Sequence, residues 1–344
     1  MSTHEQEATQ LHIPEETGVA ETLATNPDFK NGVMAVDPTT IAVAFRKFSD
    51  HVGTPLDYLK PTAEGEKLFE GLAGYADSDF DIHDVVADAG GEDKRDEMNN
   101  LAAEHGFSGP FTKVFSPLEI GVLSIVDKKM KWHEGDADKA TVHLRNGEER
   151  QDVEGVKFEL NRGNDEHYAV YDVKGFSKPV VRIAADPDKS DGVQNYMWVT
   201  EISPDENPSL IEVFRGVKNT VDVISQNGTS VKRRGATEVA SVTMPKLSNV
   251  EYERDWEEIN GTFLGSWEVK QAKQAVRVSI DEIGAEAAAM FSMVPVFRGG
   301  NMDPRDRIVI GDTGPMLVWF TEGESRLPIC ATVTNQEAWQ SEER

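Results

Sequence analysis

A single cysteine, Cys330, in 344 residues excludes an internal disulfide and any cysteine-built metal site. It lies in the apolar run of residues 327–333, which reads as a buried, inert thiol rather than a nucleophile. No uninterrupted apolar stretch approaches the length of a bilayer span. Basic residues are scarce: 35 Lys and Arg stand against 61 Asp and Glu, a net charge of −26. That balance argues against nucleic-acid binding, which rests on neutralising phosphates, and it repels anionic membrane surfaces. The N-terminal stretch MSTHEQEATQ has neither the basic start nor the apolar core of a secretory signal. The chain as given therefore reads as cytoplasmic, or as extracellular if a leader has been removed.

Conventional active-site motifs are missing as well. The eight histidines form no HxxxH or H-E-x-x-H pair, and there is no Gly-rich phosphate loop or G-x-S-x-G elbow. The acidic run Asp77–Asp84, with His83 inside it, lacks the Gly and closing Glu of a calcium loop and reads as a solvated turn. Val231–Gly235, VKRRG, is the one compact basic patch and fits an exposed turn as well as a partner site. These patterns point to no catalytic residue, no metal and no cofactor.

The elements that are present describe one α+β domain over residues 31–344, after a polar segment 1–30 with room for a short helix. Asp37-Pro38-Thr39-Thr40 starts a helix whose apolar face is Ile41, Ala44, Phe45 and Phe48. Short helices are expected over 64–72 and 94–105. From residue 120 onward strand patterns dominate, at 121–132, 156–160, 168–173, 180–184 and 196–202. A helix with Leu210, Val213, Phe214, Val217, Val221 and Ile224 on one face interrupts them and ends at Asn227-Gly228. Strands resume at 239–244, 250–252, 308–310, 316–321 and 328–333.

One stretch does not fit this alternation. In SIDEIGAEAAAMFSMVPVFRGGNMDP, residues 279–304, three alanines precede Met290, Phe291, Met293, Val294, Val296 and Phe297, and Arg298-Gly299-Gly300 follow. It is too apolar for a solvated loop and too broken for a helix, although by residue pattern alone an alanine run after Gly reads as a helix start.

AVRVSIDEIGAEAAAMF, and PMLVWFTEGESRLPICATVTN beyond the loop, resemble the carboxy-terminal pattern of the serpins: a strand, Glu-x-Gly-x-Glu-Ala-Ala-Ala, an exposed reactive loop and two core strands. Three further stretches resemble that family in the same order: NGVMAVDPTTIAVAF, LSIVDKKMKWHEGDADKAT and VASVTMPKLSNVEYERDWEEI. The region before Trp132 is several dozen residues shorter than the family pattern, and a second deletion falls near 263–273. The resemblance thus implies a shortened, divergent serpin: a single domain of helices packed on mixed and antiparallel sheets, with an exposed reactive-centre loop at about 282–307. It makes Glu282, Gly284, Ala285, Glu286, Ala287, Ala288 and Ala289 the loop hinge. Trp132 and Thr141 become the residues at the head of the main sheet, and Arg298-Gly299 the reactive bond, with Phe297, Met302 and Arg305 as alternative cleavage points. It further implies a monomeric inhibitor of a serine protease, with a trypsin-like target favoured and a chymotrypsin-like one as the alternative, that needs no cofactor. The alternative within the same resemblance is a non-inhibitory protein acting as a substrate, a binding module or a chaperone-like module. In either case Gly284 is expected to serve as a flexible pivot, and Phe291 occupies a position where a small residue is commoner.

Overall fold

The first helix begins where the cap chemistry places it. In the computed structural model Asp37 Oδ1 accepts the Thr40 N–H at 2.9 Å, Pro38 opens α1 (Pro38–Val52), and Gly53, at φ +66°, closes it. The structure describes residues 28–72, 75, 85–126, 128–146, 149–160, 167–173, 176–190, 192–203, 208–227, 233–234, 237–286, 306–323 and 327–339.

The chain runs β1 (Val33–Val36), α1, β2 (Leu59–Lys60), α2 (Glu66–Leu72), β3 (Val85–Gly90), α3 (Glu92–Glu104), β4 (Gly121–Val126) and β5 (Lys129–Lys131). It continues with β6 (Ala137–Asn146), β7 (Glu149–Glu159), β8 (Tyr168–Tyr171), β9 (Val180–Ala184), β10 (Asn195–Glu201) and α4 (Leu210–Asn227). After β11 (Arg233–Arg234) come β12 (Thr237–Pro245), β13 (Leu247–Asp255), β14 (Phe263–Leu264), β15 (Trp267–Glu268), β16 (Lys273–Ile280) and β17 (Gly284–Glu286). The last elements are β18 (Asp306–Val309), β19 (Met316–Glu322), β20 (Ala331–Thr334) and α5 (Gln336–Trp339).

A six-stranded antiparallel sheet, β1-β20-β19-β10-β9-β8, forms the centre. Its β19 and β20 are buried at every position, β19 through the apolar run Met316–Phe320. The six apolar residues that predict α4 are all buried, from Leu210 to Ile224. A second sheet orders β11-β12-β7-β6, with β18 parallel to β12, and a third orders β13-β16-β17-β5. β3 pairs with β4 over six residue pairs, and β15-β14-β2 complete the set.

Of the strands of four residues or more, β1, β3 and β6 escape the sequence reading. In β6, only Val142 and Leu144 carry a buried apolar signal amid Asp, Lys, His and Arg. Its register comes instead from a ten-pair hairpin with β7. The strand expected from Pro328 begins as a regular ladder at Ala331, although the Ile329 N–H and the Cys330 carbonyl already bond to Phe320 at 2.8 and 3.0 Å. Cys330 is buried as expected, and burial pushes its thiol well above the usual range. No helix among the described residues is long and apolar enough to cross a membrane.

Candidate functional site

The site grows from the end of β16. There Gln274, Val276, Val278 and Ile280 are buried and alternate with exposed or half-buried neighbours. Asp281 then turns the chain: its Oδ1 accepts the N–H groups of Ile283 at 2.7 Å and Gly284 at 3.0 Å, and its own N–H donates to the Gly284 carbonyl at 2.9 Å. The chain returns as β17, wedged between two strands. On one side Ser279 faces Glu286 and Ile280 faces Ala285; on the other, Lys131, Met130 and Lys129 face Gly284, Ala285 and Glu286.

Gly284 is required here for a reason other than the one expected. Its φ is not in the left-handed region, so no unusual backbone angle is involved. A Cβ at this position would stand 2.1 Å from the Met130 carbonyl oxygen, so only glycine lets β17 approach β5 this closely. Ala285, beside it, is buried.

Trp132 fastens the same turn. Its indole Nε1–H donates to the Asp281 carbonyl at 2.8 Å and its backbone N–H to that of Ile283 at 3.1 Å. The ring is buried edge-on against Phe158, with centroids 5.2 Å apart. Glu282 pairs with Lys139 of β6 at 3.2 Å. Thr141, two residues further along β6, is exposed opposite Glu154, so the contact from β6 to the hinge is made by Lys139. The structure thus joins Trp132, Glu282, Gly284 and Ala285 and leaves Thr141 apart. Ala287, Ala288, Ala289, Phe291, Phe297, Arg298, Gly299, Met302 and Arg305 lie outside the described residues, as does Asp77–Asp84.

Beyond Glu286 the two flanking strands have no described partner on their facing edges. β16 is paired on its far side with β13, and β4, which leads into β5, is paired on its far side with β3. Among the described residues a slot therefore continues the line of β17. On its inner side the start of α1 touches both edges. Ser124 of β4 donates its hydroxyl to the Thr40 carbonyl, and Gln274 of β16 donates to the Asp37 carbonyl at 2.7 Å and to Thr40 Oγ1 at 2.9 Å. The Asp37 N–H returns a bond to Gln274 Oε1 at 3.1 Å. Burial lifts the Asp37 carboxyl to about 7, with the Thr40 and Thr39 N–H groups opposing the rise.

Sequence reasoning passed over this polar knot of Asp37, Thr40, Ser124 and Gln274. One signal was available: Gln274 is the polar member of an otherwise apolar register with Val276, Val278 and Ile280. Lys128, between β4 and β5, forms a buried ion pair with Glu322 of the central sheet.

The chain is next described at β18, in a different sheet from β17. Its exit is pinned by Glu201, a buried carboxylate that accepts the Gly311 N–H at 2.7 Å and the Thr313 hydroxyl; burial raises its pKa. Residues 287–305 thus connect two separate sheets. Among the described residues no group of three His, Cys, Asp or Glu side chains could hold a metal ion.

No family sequence model and no curated protein sequence matches the chain. Solved structures do. The fold is similar to that of maspin, at 11% identity and a TM-score of 0.52, over 92% of this chain and 97% of that one. It is also similar to mouse protein-Z dependent protease inhibitor, at 13% identity and a TM-score of 0.51, over 92% and 93%. The thermophilic serpin tengpin aligns at 12% identity and a TM-score of 0.47, over 92% of each chain. At these identities the likeness is one of fold, and the chain is an α+β protein of serpin fold.

Proposed function

We propose that the chain is a serpin-type suicide inhibitor of a trypsin-like serine protease, with residues 287–305 as bait and the slot between β16 and β4 as trap. The observation that carries this reading is β17, a three-residue strand paired between β16 and β5, beyond which β16 and β4 have no described partner on their facing edges. The mouse neighbour's description as a protease inhibitor supports it.

In this mechanism the protease serine Oγ attacks the Arg298 carbonyl. The Arg298–Gly299 amide breaks, the new Gly299 amine takes the proton carried by the protease histidine, and Arg298 is left as an ester of the enzyme. The freed strand then extends β17 into the slot and carries the protease with it. The enzyme's oxyanion donors need close alignment with the acyl group, so distortion stops water from finishing the reaction. Continuing the β17 register sets residues 287, 289 and 291 opposite Val278, Val276 and Gln274 on one side. Lys128, Val126 and Ser124 face them on the other. Opposed residues share a face, so these three side chains would point to the inner side, as Ala285 does. Alanine fits at 287 and 289 without spreading the strands. Phe291 meets the polar knot instead.

That last placement favours a second reading, in which the loop is cut as a plain substrate because insertion is slow. One experiment separates the two. On incubation with trypsin the wild-type chain is expected to give a covalent complex that survives denaturing electrophoresis, and Phe291→Ala is expected to raise the trapped fraction several-fold. Clean cleavage of both proteins with no complex would refute the inhibitor reading. Cleavage of the wild type beside trapping by the variant would assign the wild type to the substrate reading.

A further inference from the structure

β10 ends on a residue that its register does not call for. Met197, Val199 and Glu201 share one face of the strand and all three are fully buried, so a carboxylate stands where the pattern asks for a third apolar side chain. Its contacts account for it. Glu201 Oε2 accepts the Gly311 N–H at 2.7 Å, and Oε1 accepts the Thr313 hydroxyl and lies 3.3 Å from the hydroxyl of Ser177. Ser177 also donates to the Glu201 carbonyl at 3.0 Å. The clamped turn follows β18 directly: the Ile310 N–H still bonds Thr243 of β12 at 2.8 Å, and the Pro315 carbonyl accepts the Ile202 N–H at 2.9 Å. Glu201 thus ties the far root of residues 287–305 to the central sheet.

The turn is shaped around this contact. Gly311 has φ +81°, which glycine adopts without strain. A Cβ on Gly314 would stand 2.3 Å from the Ile202 carbonyl oxygen and 3.2 Å from Glu201 Cγ, so no larger residue fits there. The charges, however, do not balance. Asp312 pairs with Lys178 at 3.0 Å, so two carboxylates share the one cation described in the cluster. A proton on Glu201 removes the excess charge and keeps the bonds: Oε2 still accepts from Gly311, and an O–H on Oε1 can donate to the Thr313 oxygen. Burial raises the Glu201 pKa, against the Thr313 hydroxyl, Lys178 and the Gly311 N–H, and Asp312 adds to the rise.

We propose that Glu201 is a positioning residue for the bait: it fixes the far root of residues 287–305 to the central sheet, and it does so more firmly with a proton than without one. This rests on the bait reading above. A proton bound more tightly in the closed clamp than in the open one makes a contribution that is complete below the ordinary glutamate range and is lost as pH rises through the raised value. A rooted loop samples fewer conformations, so a firmer root presents Arg298 to a protease at lower entropic cost. Glu201 acts through the turn at 311–313 and not on the reactive bond itself.

The test uses full-length wild type, Glu201→Gln and Glu201→Ala, with thermal melting to check that each is folded. Gln can accept from Gly311 and donate to Thr313 but does not ionise, so it stands for the protonated clamp. Hydrogen-exchange protection over 306–313, corrected for the intrinsic effect of pH, is expected to fall several-fold in the wild type between pH 5 and pH 8.5. In Glu201→Gln it should stay level, at the wild type's value at pH 5. Glu201→Ala should be at least about tenfold less protected at pH 5, from the lost hydrogen bonds. Should that variant not fold, the Gln comparison stands by itself. Asp37 titrates in every variant, so the difference between Gln and wild type isolates Glu201. The ratio of trypsin-capture rates, Gln over wild type, cancels the enzyme's own pH dependence. It should lie several-fold above one at pH 8.5 and approach one at pH 6. Parallel exchange profiles in wild type and Gln, or a capture ratio that does not move with pH, would overturn the proposal. No capture by any of the three would refute the inhibitor reading, and the exchange profiles alone would then uphold or overturn the clamp.

Discussion

Arg298→Glu is expected to slow the capture of trypsin by at least about a thousandfold, the loss that follows when a buried charged pocket meets the wrong charge. The prediction follows from the proposed bait Phe297-Arg298-Gly299-Gly300: an arginine would match a pocket with a buried aspartate, and the two glycines would leave the attacked carbonyl uncrowded. The second-order rate of trypsin inactivation measures it directly. Arg298→Phe should shift capture toward chymotrypsin while leaving melting of the uncut protein unchanged. An unaltered rate for Arg298→Glu would move the reactive bond to Phe297, Met302 or Arg305.

The second large effect is on stability and comes from the knot behind the slot. Burial holds Asp37 at about 7 in the folded protein, against a reference of 3.8. A carboxyl whose pKa is raised by folding binds its proton more tightly in the native state. The stability it contributes is complete below about pH 4 and is lost as pH rises through 7. The difference corresponds to about 4 kcal/mol. Asn caps a helix as well as Asp and can keep the bond from the Thr40 N–H, but it does not ionise. Denaturant unfolding of Asp37→Asn and wild type should therefore show the variant's advantage widening by about 4 kcal/mol between pH 4 and pH 8. A difference that stays flat over this range would show that Asp37 is not buried as described. Because Asp37 and Thr40 also touch Gln274, the same titration bears on the strand that borders the slot.

What could be read in advance divides along physical lines. α4 was legible because six apolar residues at helical spacing can be satisfied by one buried face, and β19 because a fully buried strand is a continuous apolar run. β6 was not, because a strand held mainly by a long hairpin needs few apolar residues. The order of Glu282, Gly284 and the alanines marked this stretch as unusual, and the structure places Gly284 and Ala285 in β17, beside the turn that Trp132 fastens. The reason Gly284 must be glycine was not legible: it lies in the Met130 carbonyl, more than 150 residues away in sequence.

Phe291 ties these levels together. In the sequence it is an aromatic residue two places after the alanine run. If the loop inserts in the β17 register, its ring would meet Ser124, Gln274 and Thr40, groups already bonded to one another. Entry there buries apolar surface, worth roughly 25 cal/mol per Å², but must also disturb hydrogen bonds that cost 1–3 kcal/mol each if left unpaired. Insertion is thus set against a definite local cost.

The central claim is that the slot between β16 and β4 accepts the chain's own loop as a strand. The thermal unfolding midpoint of the wild-type chain, measured before and after a single nick within 287–305, tests this most directly. Insertion predicts a rise of more than about 10 °C after nicking, because a new strand pairs on both sides and buries its inner face. A midpoint that is unchanged or lower after nicking would contradict it.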